Sequence, residues 1–477
     1  MKRLMIIIVC FLLILSFSLL ANGQGKPFDG ITVTAAVHSG HQVAPWYSEE
    51  GNIKEKYGIK LNVIEITQDE MYSREFLELT QRTGVYDIIQ YNSAWIGDFE
   101  PYVLPLDDYV TKDNDAIGYS DILPAFNKAQ NIWGGKRVST TIDGDTFLFY
   151  YRKDLFKDEG EKSAFKAKFG YELPDPPKTW QEVVDIAKFF TRNKGEKLAG
   201  RTLIKDFYGY ADQAKRGRVY YWYLFRFVPF NAPNPHYFNP DTMEPNINSL
   251  GSIAALENMM ELLKYSPPGV LGWEWDELYK AAMGDGTVAM WIHWTDEGRG
   301  FDKLTPLPIE NPPLPELGIS ATPGVELNGK LYQFTIVDSA WVGSICKDSK
   351  NPDAAYEVLK HMFGAGPVNL HYIMDSTIGW DAFRYSHFNS PEWRQKVPGI
   401  EKYLEIELEA LEQDSYPMLK IPGAFEYTDV LDLNVSKYLA GDFKTAKEAL
   451  DVVASKWSEL NNKFGLNKQK EFYSKIW

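Results

Sequence analysis

The segment at residues 86–109 constrains the fold more than any other part of the chain, because it joins a predicted strand to a polar turn. Its first residues, YDII, include β-branched and aromatic side chains and predict a strand. A polar turn follows at Asn92 and Ser93. Open α/β sheets bind ligands outside the carboxyl ends of their strands. We therefore expect binding groups at this point, and the candidates are Tyr91, Asn92 and Trp95.

Strands and helices alternate in the chain that leads to this segment. Strands are predicted at residues 30–37 (GITVTAAV) and 59–66 (IKLNVIEI), and an amphipathic helix is predicted at residues 69–82. This alternation is typical of a mostly parallel sheet that helices cover on both faces. The sequence therefore predicts an α/β fold.

The loop after the first predicted strand contains two histidines and a glutamine. His41 and Gln42 are candidates for neutral hydrogen-bonding groups at the mouth of the sheet, and the alternative is that they are simple loop residues. His38 and His41 have no third ligand at useful spacing, whereas zinc sites need three or four ligands. We therefore predict no metal at this loop.

Two local motifs predict where helices begin. Thr179 with Glu182, and Thr445 with Glu448, have the spacing of a capping box, in which each side chain satisfies a free N–H at the helix start. Apolar residues follow the second motif at three- and four-residue steps and include Trp457. We expect Trp457 to lie in the core.

Several segments together resemble the extracellular solute-binding proteins of ABC importers, in the carbohydrate-binding family that includes the maltose-binding proteins. The first is the strand, turn and LPLDDY sequence of residues 86–109. The others follow in the order expected of that family and span most of the chain: GGKRVSTTIDGDTFLFYYRKDLF, PPKTWQEVVDIAKFFT, GTVAMWIHW, SKNPDAAYEVLKHMF and LAGDFKTAKEALDVVASKW. The resemblance implies a binding protein that has no catalytic residues and no cofactor.

The resemblance also implies an architecture, the two-lobed type II periplasmic-binding-protein fold. Each lobe is expected to be a mostly parallel sheet flanked by helices, and several strands form the hinge between the lobes. The implied N-terminal lobe contains residues 24–143 plus about 303–372, and the C-terminal lobe contains residues 144–302 plus about 373–477. A ligand would bind between the lobes and stabilise their closed arrangement.

Four candidate ligand contacts come from segments that resemble cleft-lining parts of this family. Asp145 lies at the first crossing between the lobes, and its alternative role is to cap a turn. Trp294 and Asp296 follow the carboxyl end of the strand GTVAMWIHW, and the alternative is core packing. Trp341 lies on the strand expected to return to the first lobe.

Four further candidates come from two other segments. Residues 216–240 are dense in aromatic side chains, most of which should be core, but Trp222 is a candidate for the cleft. The sequence GWDAFRYS resembles a run found in a sugar- and polyol-binding branch of the family. It combines a stacking ring, a carboxylate and a guanidinium in Trp380, Asp381 and Arg384, and the alternative is a surface turn with an ion pair.

The N-terminus has the pattern of an export signal. Lys2 and Arg3 precede an apolar run at residues 5–20, and the small-residue sequence ANG ends at Gly23. We expect cleavage near Gly23 and a secreted or periplasmic protein. Retention of the run as a membrane anchor is the alternative. No cysteine stands at the cleavage site to make a lipoprotein, because Cys10 lies inside the apolar run.

Composition excludes some partners and agrees with export. The chain has 65 Asp and Glu against 50 Lys and Arg, a net charge of −15, and no basic block, so it is a poor nucleic-acid binder. Removal of the signal leaves Cys346 alone, so no intrachain disulfide can form. With 44% hydrophobic residues the chain can instead build a large core in two domains. We expect a monomer that hands its ligand to membrane permease subunits.

The candidate residue types suit a carbohydrate. Flat rings pack on the C–H faces of a sugar, and carboxylates, amides and Arg pair with its hydroxyls. A polyol, a sugar acid or another small polar solute stays an alternative. Arg384 leaves an anionic ligand open, whereas Asp145, Asp296 and Asp381 favour a neutral one.

A secreted glycoside hydrolase is the alternative of a different class. It needs two carboxylates on either side of one glycosidic bond, and Glu274 with Asp276, or Asp296 with Glu297, could be nominated. The sequence contains neither HExxH nor GxSxG, so metalloprotease and serine-hydrolase functions have less support still.

Overall fold

A computed structural model describes residues 25–337, 340–412 and 415–476. The predicted export signal lies outside the described residues. The strands, β1 to β14 in chain order, are Thr32–His38, Lys60–Ile66, Ile88–Asn92, Ile132–Trp133, Lys136–Arg137, Thr140–Thr141, Phe147–Arg152, Lys197–Leu198, Arg201–Thr202, Met290–Trp294, Leu317–Ser320, Val325–Leu327, Lys330–Tyr332 and Trp341–Ile345.

The helices, α1 to α19, are numbered in the same way. They are Ala44–Tyr57, Gln68–Gln81, Ile96–Phe99, Asp107–Lys112, Pro124–Phe126, Lys153–Phe156, Glu159–Phe169, Trp180–Phe190, Val219–Phe230, Leu250–Leu263, Trp275–Tyr279, Pro352–Phe363, Pro367–Ile373, Tyr385–Phe388, Pro391–Lys396, Ile400–Leu411, Ala424–Leu439, Ala446–Phe464 and Leu466–Tyr473. Within the described residues, no helix is both long and apolar enough to cross a bilayer.

The first sheet has the strand order β2-β1-β3-β14-β6. β1 runs parallel to β2 and β3, and Ala35 pairs with Val63 on one side and with Ile88 on the other. β14 is antiparallel to both of its neighbours. Every residue of β3 and β14 is buried, as expected for strands that helices cover on both faces.

The second sheet contains β10, β7 and β11 in that order, and both pairings are antiparallel. This corrects the expectation that each lobe has a mostly parallel sheet. In this sheet β10 and β11 are both antiparallel to β7, the strand that enters this lobe. β11 pairs with β7 from Leu317 to Ser320, so the chain stays with the second sheet as far as Ser320.

Helix starts and buried stripes follow the local sequence. Thr179 and Glu182 form a complete capping box, with N–H···O distances of 3.2 and 2.9 Å. Thr445 accepts from the N–H of Glu448 at 3.2 Å. Trp457 is 1% exposed, so its predicted place in the core is confirmed.

Segments of 3₁₀ helix follow three of the strands. Gly40–Gln42 follows β1, Ser93–Trp95 follows β3, and Thr295–Lys303 follows β10. Because these segments lie at carboxyl ends of strands from both sheets, they bring loop side chains from the two lobes toward one another.

Candidate functional site

The candidate site is a cavity between the two sheets, with an open volume of about 590 Å³. The first sheet contributes the end of β1, its following turn and the start of β14. The second sheet contributes the end of β10 and the crossing before β7. The lining residues are His38, His41, Gln42, Gln68, Asp145, Arg218, Tyr221, Trp275, Trp294, Asp296, Trp341 and Gly379.

Aromatic rings from both lobes form much of the wall. Trp341, from the first sheet, packs on the His38 ring at a centroid distance of 4.7 Å. Trp294, from the second, packs on Phe147 at 4.6 Å. Trp275 stands against the buried His293 ring at 5.0 Å. The underlying rings therefore fix the orientation of the rings that face the cavity.

Asp145 and Asp296 form the floor of the cavity, and Asp143 and Asp381 lie beneath it. Asp145 lines the cavity, and one oxygen each of Asp143, Asp145 and Asp381 lie within 4.8 Å of one another. Gly144 permits this approach, since a Cβ on it would lie 2.2 Å from the carbonyl oxygen of Ala382. These are the described acidic side chains close enough to share a cation.

Hydrogen bonds hold the floor in place from both lobes. Asp143 accepts from Gln42 Nε2 at 2.8 Å and from the Asp381 backbone N–H at 2.7 Å. The Thr295 hydroxyl donates to Asp381 at 2.8 Å. Arg299 approaches the other oxygen of Asp381 at 3.3 Å.

Burial shifts the titration of these groups toward neutral forms. Burial, followed by the charge of Asp381, raises the pKa of Asp296 to about 7. Burial is also the main reason that the pKa values of Asp143 and Asp145 lie well above their ordinary range. At the end of β1 and in the turn after it, burial lowers the pKa of His38 to about 4 and also lowers the pKa of His41. Both imidazoles are therefore neutral near pH 7.

The cavity continues into a groove on either side. One groove, of about 830 Å³, includes Asn92, Trp95, Tyr220 and Phe425. The other, of about 1310 Å³, includes Tyr279, Lys303, Glu274 and Asp276. Between them, Arg218 Nη2 of the second lobe donates to Gln68 Oε1 of the first at 2.6 Å. The lobes thus touch across the cavity.

Comparison with known proteins assigns the chain to a family. Residues 46–368 match the profile described as bacterial extracellular solute-binding protein. That match covers more than half of the sequence. The chain belongs to this family.

Solved structures of similar proteins have the same fold. An ABC transporter solute-binding protein from Agrobacterium radiobacter K84, in complex with ribitol, aligns with a TM-score of 0.73 and 21% identity, over 91% of this chain and 100% of that one. Maltose-bound MalE3 from T. maritima aligns with a TM-score of 0.67 and 18% identity, over 90% of this chain and 100% of that one. The predicted two-lobed α/β fold is confirmed.

A curated relative matches a smaller share of the chain than the solved structures do. A probable amino-acid ABC transporter periplasmic-binding protein from Sinorhizobium fredii is 24% identical over 276 residues. The match covers 56% of this chain, and the chain spans 57% of that relative's length.

Eight of the residues predicted from sequence line the cleft of this solute-binding protein. Six lie in the central cavity and two in the adjoining groove. The six are His41, Gln42, Asp145, Trp294, Asp296 and Trp341, and the two are Asn92 and Trp95. Their segments are distant in sequence, and the ends of the strands bring them together.

The other five predicted contacts are buried outside the cavity lining. Tyr91 and Trp222 are fully buried, and the Tyr91 hydroxyl lies 3.1 Å from that of Ser344. Both face the interior of their own lobe. Their places therefore do not fit the ligand contact expected from sequence.

The three candidates of the GWDAFR segment are also buried. Trp380 packs on Phe363 and Tyr372, with ring centroids 5.2 and 5.8 Å apart. Arg384 donates to the backbone carbonyls of Gly118, Ile117 and Phe363, and Asp381 lies beneath the cavity floor. The segment thus packs behind the cavity. Because all three residues are buried, it is not a surface turn either.

Sequence reasoning missed five residues that line the central cavity: Gln68, Arg218, Tyr221, Trp275 and Gly379. Gln68 begins the helix directly after β2, so the rule about carboxyl ends of strands could have found it. Arg218 and Tyr221 lie in the aromatic-rich segment from which Trp222 was chosen. Trp275 follows no strand and gave no signal. His38, considered for a metal only, also lines the cavity.

Proposed function

We propose that this protein is the substrate-binding component of an ABC sugar importer and captures a carbohydrate or polyol between its lobes. One observation supports this more than any other. Trp341 of the first sheet and Trp294 of the second line one cavity, whose floor is Asp145 and Asp296. Rings from two lobes can hold the faces of a sugar while the carboxyl groups pair with its hydroxyls.

Hinge closure follows from the same arrangement. A ligand that contacts both walls stabilises the closed state, and only by its difference in affinity for the closed and open states. Micromolar capture corresponds to about −8 kcal/mol. The structural relatives with ribitol and maltose are the reason to test polyols and sugars first.

Binding without catalysis is the second part of the proposal. Neither pair of carboxylates nominated for a hydrolase faces the cavity as a pair, although Asp296 alone lines it. Glu297 accepts from Trp291 Nε1 at 2.7 Å and lies 3.1 Å from His293 Nδ1, so it faces the interior. Glu274 pairs with Lys215 at 2.7 Å. Release of reducing sugar from a polysaccharide would contradict this part of the proposal.

The cellular setting follows from the family and the N-terminal sequence. We infer export, cleavage near Gly23, action as a monomer and delivery of the ligand to permease subunits of the importer. Sequencing the N-terminus of the secreted protein tests the cleavage site. A protein that starts at Met1 would mean that the apolar run is kept.

Tryptophan fluorescence tests the binding proposal directly, since the cavity contains three tryptophans. Titration with monosaccharides, disaccharides and polyols should change the emission saturably with at least one of them. Asp302→Asn is a matched control for Asp296→Asn, because Asp302 is an exposed carboxylate on the same 3₁₀ segment. The control should bind like the wild type and Asp296→Asn should bind at least tenfold more weakly. No response to the complete panel would overturn the proposed function.

A further inference from the structure

The cavity floor holds more carboxylates than the protein balances with cations. Asp145 and Asp296 line the cavity, and Asp143 and Asp381 lie directly behind them. In the described part of the chain, Arg299 is the cation that forms an ion pair with this group, at 3.3 Å from Asp381. A single guanidinium thus forms an ion pair with this group of four carboxyl groups.

Two of these carboxyl groups are turned toward the cavity. Asp145 is 9% exposed, and the cavity is where it reaches the surface. Asp296 Oδ1 is buried and has no hydrogen-bond partner among the described residues. A buried oxygen without a donor is unfavourable. A ligand that brings a charged N–H donor between these two side chains would remove that cost. Its positive charge would also favour the ionised carboxylates and so oppose the rise in pKa that burial causes in Asp145 and Asp296.

The rest of the wall favours the same kind of group. Trp294, Trp341, Trp275 and Tyr221 surround the cavity, and the faces of such rings attract cations. His38 also lines the cavity and is neutral near pH 7, since burial lowers its pKa to about 4.

The cationic side of the cavity is already occupied by protein groups. Arg218 donates to Gln68 at 2.6 Å and lies 3.9 Å from Glu274. An anionic ligand would therefore meet the acidic groups of the floor, while Arg218, the arginine that lines the cavity, already contacts Gln68 and Glu274. This argues against sugar acids.

We propose that the ligand is a polyhydroxylated molecule with a protonated amine, an amino sugar or amino polyol, whose ammonium group lies between Asp145 and Asp296. This inference rests on the proposed function and narrows its ligand class. The hydroxyls of the ligand contact the remaining polar groups of the cavity, and its carbon skeleton packs on Trp294 and Trp341.

Matched pairs of ligands test the inference near pH 7, where an alkyl amine is protonated. Calorimetry would compare D-glucitol with 1-amino-1-deoxy-D-glucitol, glucose with glucosamine, and galactose with galactosamine. In the pair that binds, the amine should bind at least tenfold more tightly. Equal or weaker binding of the amine would overturn the inference and leave the proposed function standing.

Variants locate the preference. Asp296→Asn should reduce the ratio of amine to neutral affinity to less than threefold, and Asp302→Asn should preserve it. Titration with Ca²⁺ or Mg²⁺ alone is a separate arm, and tight metal binding at the floor without amine preference would contradict the inference. Binding of amino acids with no sugar or polyol bound would contradict the proposed function as well.

Discussion

Residues 294–296 and residues 380–384 each combine a tryptophan with a carboxylate, yet they lie in different environments. Trp294 and Asp296 line the cavity, at the end of β10. Trp380 and Asp381 are fully buried in a segment that packs against the first crossing. The same residue types therefore line the cavity in one region and pack behind it in the other. The pair that lines the cavity is the one that stands at the end of a strand.

The largest expected effect concerns Arg384, which lies in the segment that packs behind the cavity. Arg384→Ala would leave three buried carbonyls without their donor and should lower the free energy of unfolding by at least about 4 kcal/mol. Urea denaturation measures this, with the exposed Arg201→Ala as a control. If Arg384→Ala were as stable as the control and lost ligand instead, the comparison would be reversed.

The two tryptophans provide the next test. Trp380→Ala should cost about 3 kcal/mol of stability, because its ring is fully buried, while the folded fraction keeps its affinity within threefold. Trp294→Ala should lose at least tenfold in affinity and also some stability, since the ring packs on Phe147 and Trp222. Denaturation combined with calorimetry separates the two readouts. Equal affinity losses in both variants would break the distinction.

Neutralisation of the two aspartates should affect the free energy of unfolding differently. Asp381→Asn removes the carboxylate beside the buried Arg299 and should cost about 2 kcal/mol of stability. Asp296→Asn removes a charge that repels Asp381 and should leave stability unchanged or raise it. Denaturation of the ligand-free variants at neutral pH measures both. A loss in Asp296→Asn as large as that in Asp381→Asn would show that both residues are structural.

The smallest expected effect is a dependence of stability on pH. Asp296 has a pKa of about 7 in the folded protein against an ordinary value of 3.8, so the folded state binds more protons in that interval. Stability of the ligand-free protein should therefore fall as pH rises from about 4 to about 7. The charged groups that face Asp296 are Asp143, Asp145, Asp381, Glu297 and Arg299.

Thermal unfolding between about pH 5 and pH 8 measures this dependence. The fall should be smaller in Asp296→Asn than in the matched control Asp302→Asn. An equal fall in both variants would assign the pH dependence to the groups behind Asp296.

The features of the fold that were predicted correctly depend on short stretches of sequence. The capping motif at Thr179 and the periodic stripe that includes Trp457 need no distant partner, and both features are present. Strand direction in the second sheet was not predictable in this way, since it depends on which distant strand pairs with β7.

The candidate site was predicted in part for the same reason. Trp294 and Asp296 follow a strand end, and that placement made them identifiable. The burial of Trp380 and Arg384 depends on Phe363 and on the carbonyls near Gly118, which are distant in sequence. From residue types alone, Trp380 and Arg384 were predicted to contact the ligand, whereas the fold buries them behind the cavity.

The central claim is that one cavity between the two lobes holds the ligand, and a crystal structure of the complex with a ligand found in the titrations tests it most directly. The account predicts density between Trp294 and Trp341, with polar groups of the ligand at Asp145 and Asp296. Density confined to one lobe, or outside this cavity, would contradict it.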